Sequence, residues 1–261
     1  GVCGGPCAAD ANNNGICDAD ETVGCTDPAA CNYDENAVGP TATEEDCLDI
    51  EVVAVHTTGD LAGQTTYRLY FHPEADGDFV TSIYGNMDEP LAITTTTSFH
   101  QDALGGVTAA AINPLLFSVY PDLEYDSYVT IGLSSGAASA DGENDASAVS
   151  SPLQNWSLAF DPGSGVAGGN LLIDDAIGGA WFIYNGDVNG YADADGRVLI
   201  AQVTTDGQIG GQVNIQVLPA GGSPGEYNVA ARIIDTNCGA GGGDCFYDDG
   251  VTDCDLNCYN D

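Results

Sequence analysis

The residues best suited to chemistry lie near the start of the 261-residue chain. Asp10-Ala-Asn12-Asn-Asn14-Gly15-Ile16-Cys17-Asp18-Ala-Asp20-Glu21 satisfies the calcium-loop pattern D-x-[DN]-x-[DN]-G-x5-E at every position. Calcium takes roughly six to eight hard oxygens. The side chains of Asp10, Asn12 and Asn14 and the carbonyl of Ile16 would supply part of that shell, with Glu21 bidentate at the twelfth place and Asp18 acting directly or through water. Gly15 permits the sharp turn the loop needs. No amphipathic helix flanks it, so the expectation is a free calcium loop rather than an EF-hand; the competing reading is an Asx-rich disulfide loop without metal.

A second cluster, Asp187, Asn189, Asp193 and Asp195, precedes an apolar run at Val198–Thr204 and is a candidate second cation loop, although its spacing fits no full template and a solvated turn competes with it. Asp141-Gly-Glu143-Asn144-Asp145 reads as a mobile loop, and Asp248, Asp249, Asp253, Asp255 and Asp261 as a candidate opening of a further calcium loop, with Asp261 at its first ligand place.

Enzyme signatures are weak. Gly132-Leu133-Ser134-Ser135-Gly136 fits G-x-S-x-G, but a nucleophile elbow needs a helix after the serine, and Ala137–Asp145 has no apolar stripe. His56, His72 and His100 stand at no metal-binding spacing, and nothing singles out a carboxylate pair among 40 acids. No catalytic residue is assigned and a non-enzymatic chain is expected. Trp156 and Trp181 are either core residues or a stacking platform for a glycan. Asn155-Trp156-Ser157 is the one N-glycosylation sequon.

Ten cysteines, Cys3, Cys7, Cys17, Cys25, Cys31 and Cys47 and then Cys238, Cys245, Cys254 and Cys258, leave a long middle without any, and all ten are expected in disulfides. Such usage suits an oxidising compartment, so the chain is expected to be extracellular or on a cell surface. Six cysteines at one end allow roughly fifteen connectivities and four at the other about three, so pairing stays open, a Cys25–Cys31 bridge being one guess. With Met87 the only methionine, the chain reads as a processed or excised piece. Acids outnumber arginines 40 to 3, there is no lysine, and the net charge is −37. Nucleic acid and anionic lipid are thereby excluded as direct partners. No apolar run is long enough to insert into a membrane.

The elements that must position these groups are strands. Asp49–His56, Thr65–Phe71, Phe79–Tyr84, Leu91–Phe99, Tyr128–Leu133, Asn155–Phe160, Ala180–Tyr184, Val198–Thr204, Gln212–Leu218 and Tyr227–Ile234 are β-branched or aromatic runs, most of them bounded by turn residues. Tyr67, Leu69 and Phe71, like Val213, Ile215 and Val217, alternate with polar neighbours, which gives one buried face per strand. The expectation is an all-β chain: an antiparallel β-sandwich, jelly-roll or immunoglobulin-like, with disulfide-rich, calcium-stabilised irregular ends. Asn113-Pro114 has the form of a helix start, so one short helix is expected over Leu115–Tyr120. Three segments follow: a Cys-rich calcium-loop unit over 1–47, the sandwich over 48–235, and a Cys-rich segment over 236–261 that continues into or contacts the next copy.

The segment from Cys3 to Cys47 resembles the Cys-rich repeat cassette of large secreted and cell-surface proteins of marine Bacteroidota-type bacteria, through C-G-G-x-C, the loop above and Gly24-Cys25-Thr26-Asp27-Pro28-Ala29-Ala30-Cys31-Asn32-Tyr33. Such cassettes often accompany type IX secretion and carry no enzymatic activity. Cys245 to Cys258 is similar to the second half of that cassette, whereas Val38–Cys47 departs from its usual ending and leaves the partner of Cys47 open. The middle resembles, more weakly, a β-domain of obscure function found beside these cassettes, through Asp126–Gly132 and Arg197–Thr205.

Cys254 and Cys258 repeat the C-x3-C-x2-D spacing of Cys3, Cys7 and Asp10, as one period of a tandem array would. The functional expectation is an extracellular structural protein joined head to tail to copies of itself in a surface array or filament, with calcium as its cofactor. The alternative is an adhesin or carbohydrate-binding module with a glycan partner, and a secreted hydrolase stands third.

Overall fold

The computed structural model describes residues 47–219, 225 and 227–236, with the backbone alone at 230. Its strands are β1 (Asp49–Val55), β2 (Thr65–Phe71), β3 (Phe79–Gly85), β4 (Leu91–Thr95), β5 (Tyr128–Val129), β6 (Ser147–Val149), β7 (Leu171–Ile173), β8 (Gly179–Phe182), β9 (Val198–Thr205), β10 (Ile209–Leu218) and β11 (Tyr227–Ile234). All ladders between named strands are antiparallel. They form a four-stranded sheet in the order β1-β2-β9-β5 and a seven-stranded sheet running β6-β8-β3-β10-β4-β7, with β11 also on β10. Leu48–Thr236 form one compact unit. No helix among the described residues is long and apolar enough to cross a membrane.

The alternation read from the sequence sets the core. Leu69 and Phe71 of β2 and Val198, Ile200, Ala201 and Val203 of β9 share one buried cluster with Ile83, Ile93, Trp181, Val213, Ile215 and Val217 of the larger sheet, and Tyr67 packs against it. The two sheets therefore make an antiparallel β-sandwich. β9 is buried along its whole length. Its register against β2 shifts between Leu69 and Tyr70, which accommodates Ile200 as an extra residue. On its far face the Gln202 amide donates to the carbonyls of Glu124 and Asp126, and a smaller cluster of Ala109, Ile112, Leu123, Tyr128 and Leu133 completes that segment.

The larger sheet contains two broken strands side by side. β11 occupies one edge of β10 over Gly211–Val217. The other edge is shared end to end by β4, opposite Ile209–Gln212, and β3, opposite Asn214–Leu218. β7 and β8 share the next position in the same way, opposite β4 and β3. The chain leaves the sheet at 86–90 and again at 174–178. Each excursion is turned by an Asx residue: the Asn86 Oδ1 accepts from the N–H groups of Asp88 and Glu89, and the Asp175 Oδ1 from those of Ile177 and Gly178. The first gap is closed by buried Asn214, whose Nδ2 donates to the carbonyls of Tyr84, Glu89 and Pro90 while its Oδ1 accepts from the Ala231 N–H.

Several expected elements differ. Asn155–Phe160 is not a strand: Trp156–Ala159 form a 3-10 turn. The apolar alternation of Trp156, Leu158 and Phe160 imitated a strand, but the Trp156 Nε1 donates to the Val149 carbonyl and its ring lies 5.5 Å from that of Trp181, which fixes the turn. The expected helix over 115–120 is a single 3-10 turn, Pro114–Leu116, although Asn113 does cap it by accepting from the Leu115 N–H. β4 stops at Thr95, and Phe99 makes an isolated bridge to Thr205. Tyr128–Leu133 is a strand only at Tyr128–Val129, because Thr130 and Gly132 donate to Ile200 and Leu199 around the irregularity in β9.

Candidate functional site

Two of the chain's three arginines, Arg68 and Arg197, line one cleft on the outer face of the four-stranded sheet. The register aligns two cross-strand rows there. Glu51 of β1, Arg68 of β2, Gln202 of β9 and Tyr128 of β5 form the first. Asp49, Tyr70 and Leu199 form the second. Within the first row the Arg68 Nε donates to the Gln202 Oε1 at 3.0 Å, and Gln202 is itself pinned by the carbonyls of Glu124 and Asp126.

Arg197 enters the site from the turn before β9. The Asp193 Oδ1 accepts from the N–H groups of Asp195 and Arg197, which tightens that turn. The guanidinium carbon then lies 3.8 Å from the centre of the Tyr70 ring. Its terminal nitrogens reach the Asp49 Oδ2 at 3.1 Å, the Glu51 Oε2 at 2.8 Å and the Asp195 Oδ2 at 3.9 Å, and its Nε lies 3.9 Å from the Asp193 Oδ2. His72 stands 3.3 Å from the same Asp49 oxygen. Burial alone would lower the Arg197 pKa, but hydrogen bonds to Asp49 and Glu51 and the charges beside it raise it above the usual arginine value. Burial pushes the Tyr70 hydroxyl up, opposed by Arg68 and Arg197. The group that the acids of this turn surround is thus a fixed guanidinium, held by charge and by the ring face below it.

The other half of the predicted second cluster has different partners. Asp187 and Asn189 are buried. Asp187 accepts from the Asn144 side-chain amide and the Tyr184 N–H, and Asn189 donates to the carbonyls of Ile131 and Asn144 and accepts from the Asn144 N–H. The 141–145 loop, expected to be mobile, is therefore tied down, the more so because Glu143 and Asp145 accept from the N–H groups of Ala138 and Ala137. Of Asp187, Asn189, Asp193 and Asp195, Asn189 and Asp193 line the cleft that holds Arg68 and Arg197, and among the described residues no three His, Cys, Asp or Glu side chains converge as a metal site. The candidate calcium ligands Asp10, Asn12, Asn14, Ile16, Asp18 and Glu21 lie outside the described residues. So do Cys3, Cys7, Cys17, Cys25 and Cys31 at one end and Cys238, Cys245, Cys254 and Cys258 at the other. Cys47, the one cysteine within them, is disulfide-bonded.

The cleft has a volume of about 360 Å³. Arg68, Tyr70 and Arg197 form one side; Ser134, Glu143, Tyr191 and Asp193 lie around the rest. Beyond the Tyr191-Ala192-Asp193 ridge lies a second depression of about 300 Å³, which carries Glu74 and Asp76. Ser134 of the G-x-S-x-G sequence is on the cleft wall, but no histidine lines the cleft, and the turn that follows is the three-residue 3-10 segment Ser139–Asp141. Both tryptophans are buried, so neither is a platform for a ligand. Sequence reasoning did not single out Arg68, Arg197 or Tyr70. The signal was present: Asp49-x-Glu51 and Arg68-x-Tyr70 each place two such groups on one face of a strand. Comparisons of the chain with known protein families, with curated proteins and with solved structures find no match.

Proposed function

We propose that the chain is an extracellular structural protein, a repeat whose copies join head to tail in a calcium- and disulfide-stabilised surface array or filament. The observation that carries this reading is the outer edge of β1. That strand has seven residues, is paired with β2 on one side, and has no described segment hydrogen-bonded to its other side. Val52, Val53 and Val55 are 54%, 37% and 67% exposed along it. Of the other lateral strands, β5, β6 and β7 have two, three and three residues, the short form that ordinarily protects a sheet edge, and the eight-residue β11 meets Leu48, whose N–H donates to the Ile233 carbonyl. β1 is longer than β5, β6 and β7 and carries exposed valines around a bulge at Val53, and such an edge is a template for strand addition. A strand supplied by a neighbouring copy would extend the sheet, and such unlike-surface contacts generate filaments when they do not close.

The repeated C-x3-C-x2-D spacing at the two ends and the Asp10–Glu21 loop support the same reading, because both would stiffen a joint between copies. The resemblance to a secreted repeat cassette agrees with it. The test is negative-stain electron microscopy of native, unreduced protein with and without a calcium chelator, beside the Val52→Lys/Val55→Lys variant. Filaments of regular repeat are expected in calcium, fragmenting in chelator and absent from a variant whose melting temperature is unchanged. Monodisperse single particles in calcium would overturn the proposal.

A further inference from the structure

We propose that the cleft between Arg68 and Tyr191 binds an acidic sugar, a uronate residue of a polysaccharide. This inference does not depend on assembly. It rests on the mixture of groups that the cleft presents. A chain of net charge −37 disfavours anions over most of its surface, yet two of its three cations stand here. Arg197 is occupied by Asp49, Glu51 and the Tyr70 ring. Arg68 has its Nε fixed on Gln202, which orients the rest of its guanidinium beside the hydroxyls of Tyr70 and Tyr128. An oriented guanidinium is the group that recognises a carboxylate in two-point fashion.

The remaining groups exclude a bare anion. Glu143 and Asp193 share the cleft and would repel a doubly charged sulfate or phosphate more strongly than a singly charged carboxylate, whereas these carboxylates and the Ser134 hydroxyl are acceptors for sugar hydroxyl groups. A ligand that carries one carboxylate and several hydroxyls satisfies both sets, and a uronate is such a ligand. Tyr191 provides the apolar contact. It is 36% exposed, and its ring is braced edge-on by Phe79 at a centroid distance of 5.1 Å. A Cβ at the preceding Gly190 would collide with the Phe79 ring, so that brace requires glycine there. The volume falls in the usual range for small-ligand sites, about 300–1,000 Å³. The depression beyond the ridge gives a linked sugar a place to continue.

The test is calorimetric titration and saturation-transfer NMR with glucuronate, galacturonate and their short oligomers, against glucose, galactose and acetate. Uronates are expected to bind, oligomers more tightly than monomers, and neutral sugars and acetate at least about tenfold more weakly. Arg68→Gln should weaken uronate binding about tenfold or more, the loss of a charge-assisted pair, with partial rescue in Arg68→Lys. Tyr191→Ala, on the exposed rim, should weaken it at unchanged melting temperature, and Arg232→Gln on the other sheet should leave it as it was. Any of three results overturns the proposal: no uronate binding at millimolar concentration, acetate or neutral sugars binding equally well, or Arg68→Gln and Tyr191→Ala both without effect.

Discussion

Asp126 is a carboxylate with no exposed surface. Its Oδ1 accepts from the Asp102 N–H at 2.7 Å and its Oδ2 from the Gly106 N–H at 3.1 Å, so it clamps the 102–106 turn onto the sheet. Burial pushes its pKa up to about 7, although those backbone donors favour the anion. A native pKa above the ordinary value of 3.8 means that the folded state holds the proton more tightly than the unfolded chain. Its contribution to stability is therefore complete below about pH 4 and is lost as pH rises to about 7, by up to about 4 kcal/mol. Burial lowers the pKa of nearby His100, which acts in the opposite sense and removes stability as pH falls through its ordinary value. Asp126→Asn should flatten the fall in urea-unfolding free energy between pH 4.5 and 7 relative to the parent. An unchanged slope in the variant would show that the carboxylate is not its source. Nothing in the sequence marked Asp126 for this part, because the N–H groups that close over its carboxylate come from Asp102 and Gly106, 24 and 20 residues away. The arginine cluster was hidden in the same way: Arg197 meets Asp49 and Glu51 across nearly 150 residues, a separation printed in no local spacing.

At the scale of elements, the two Asx-turned excursions meet tightly. Gly178 has φ of +82°, and a Cβ there would run into the carbonyl of Gly85. Gly178→Ala should cost about 2–5 kcal/mol, the sum of left-handed strain and overpacking. Gly59→Ala, with φ of +80° and nothing within 4 Å, isolates the first term and should cost about 1–2 kcal/mol. Equal urea midpoints for the two variants would disprove the close packing of the excursions. Strands long enough to show alternation were legible: β2 and β11 have the bounds their residues imply. β6 and β7 were not, since three residues cannot display a period of two. Trp156–Ala159 misled because a 3-10 turn sewn to the core by a tryptophan looks, in composition, like a strand.

For the molecule as a whole, the all-β architecture followed from composition and turn spacing, while the pairing of strands did not, since β9 and β10 find partners more than a hundred residues away. A net charge of −37 on one chain sets its response to salt. Exposed carboxylates repel over distances that salt shortens, from a screening length of about 30 Å in dilute buffer to about 8 Å at physiological strength. The thermal midpoint should therefore rise from about 10 to about 150 mM NaCl. A fall would mean that the few arginine pairs, above all those of Arg197, outweigh general repulsion.

The broken strands have a consequence for how the protein can vary. Because β3 and β4 each pair with β10 in their own right, as β7 and β8 do with the strands beside them, the number of residues spent between the halves is uncoupled from the pairing on either side. Met87 and Ile177, both well exposed, ride on the two excursions. Foreign peptides spliced in beside them would emerge as neighbours from one spot on the sheet, a ready-made pair of display positions whose cargo the sandwich need not read.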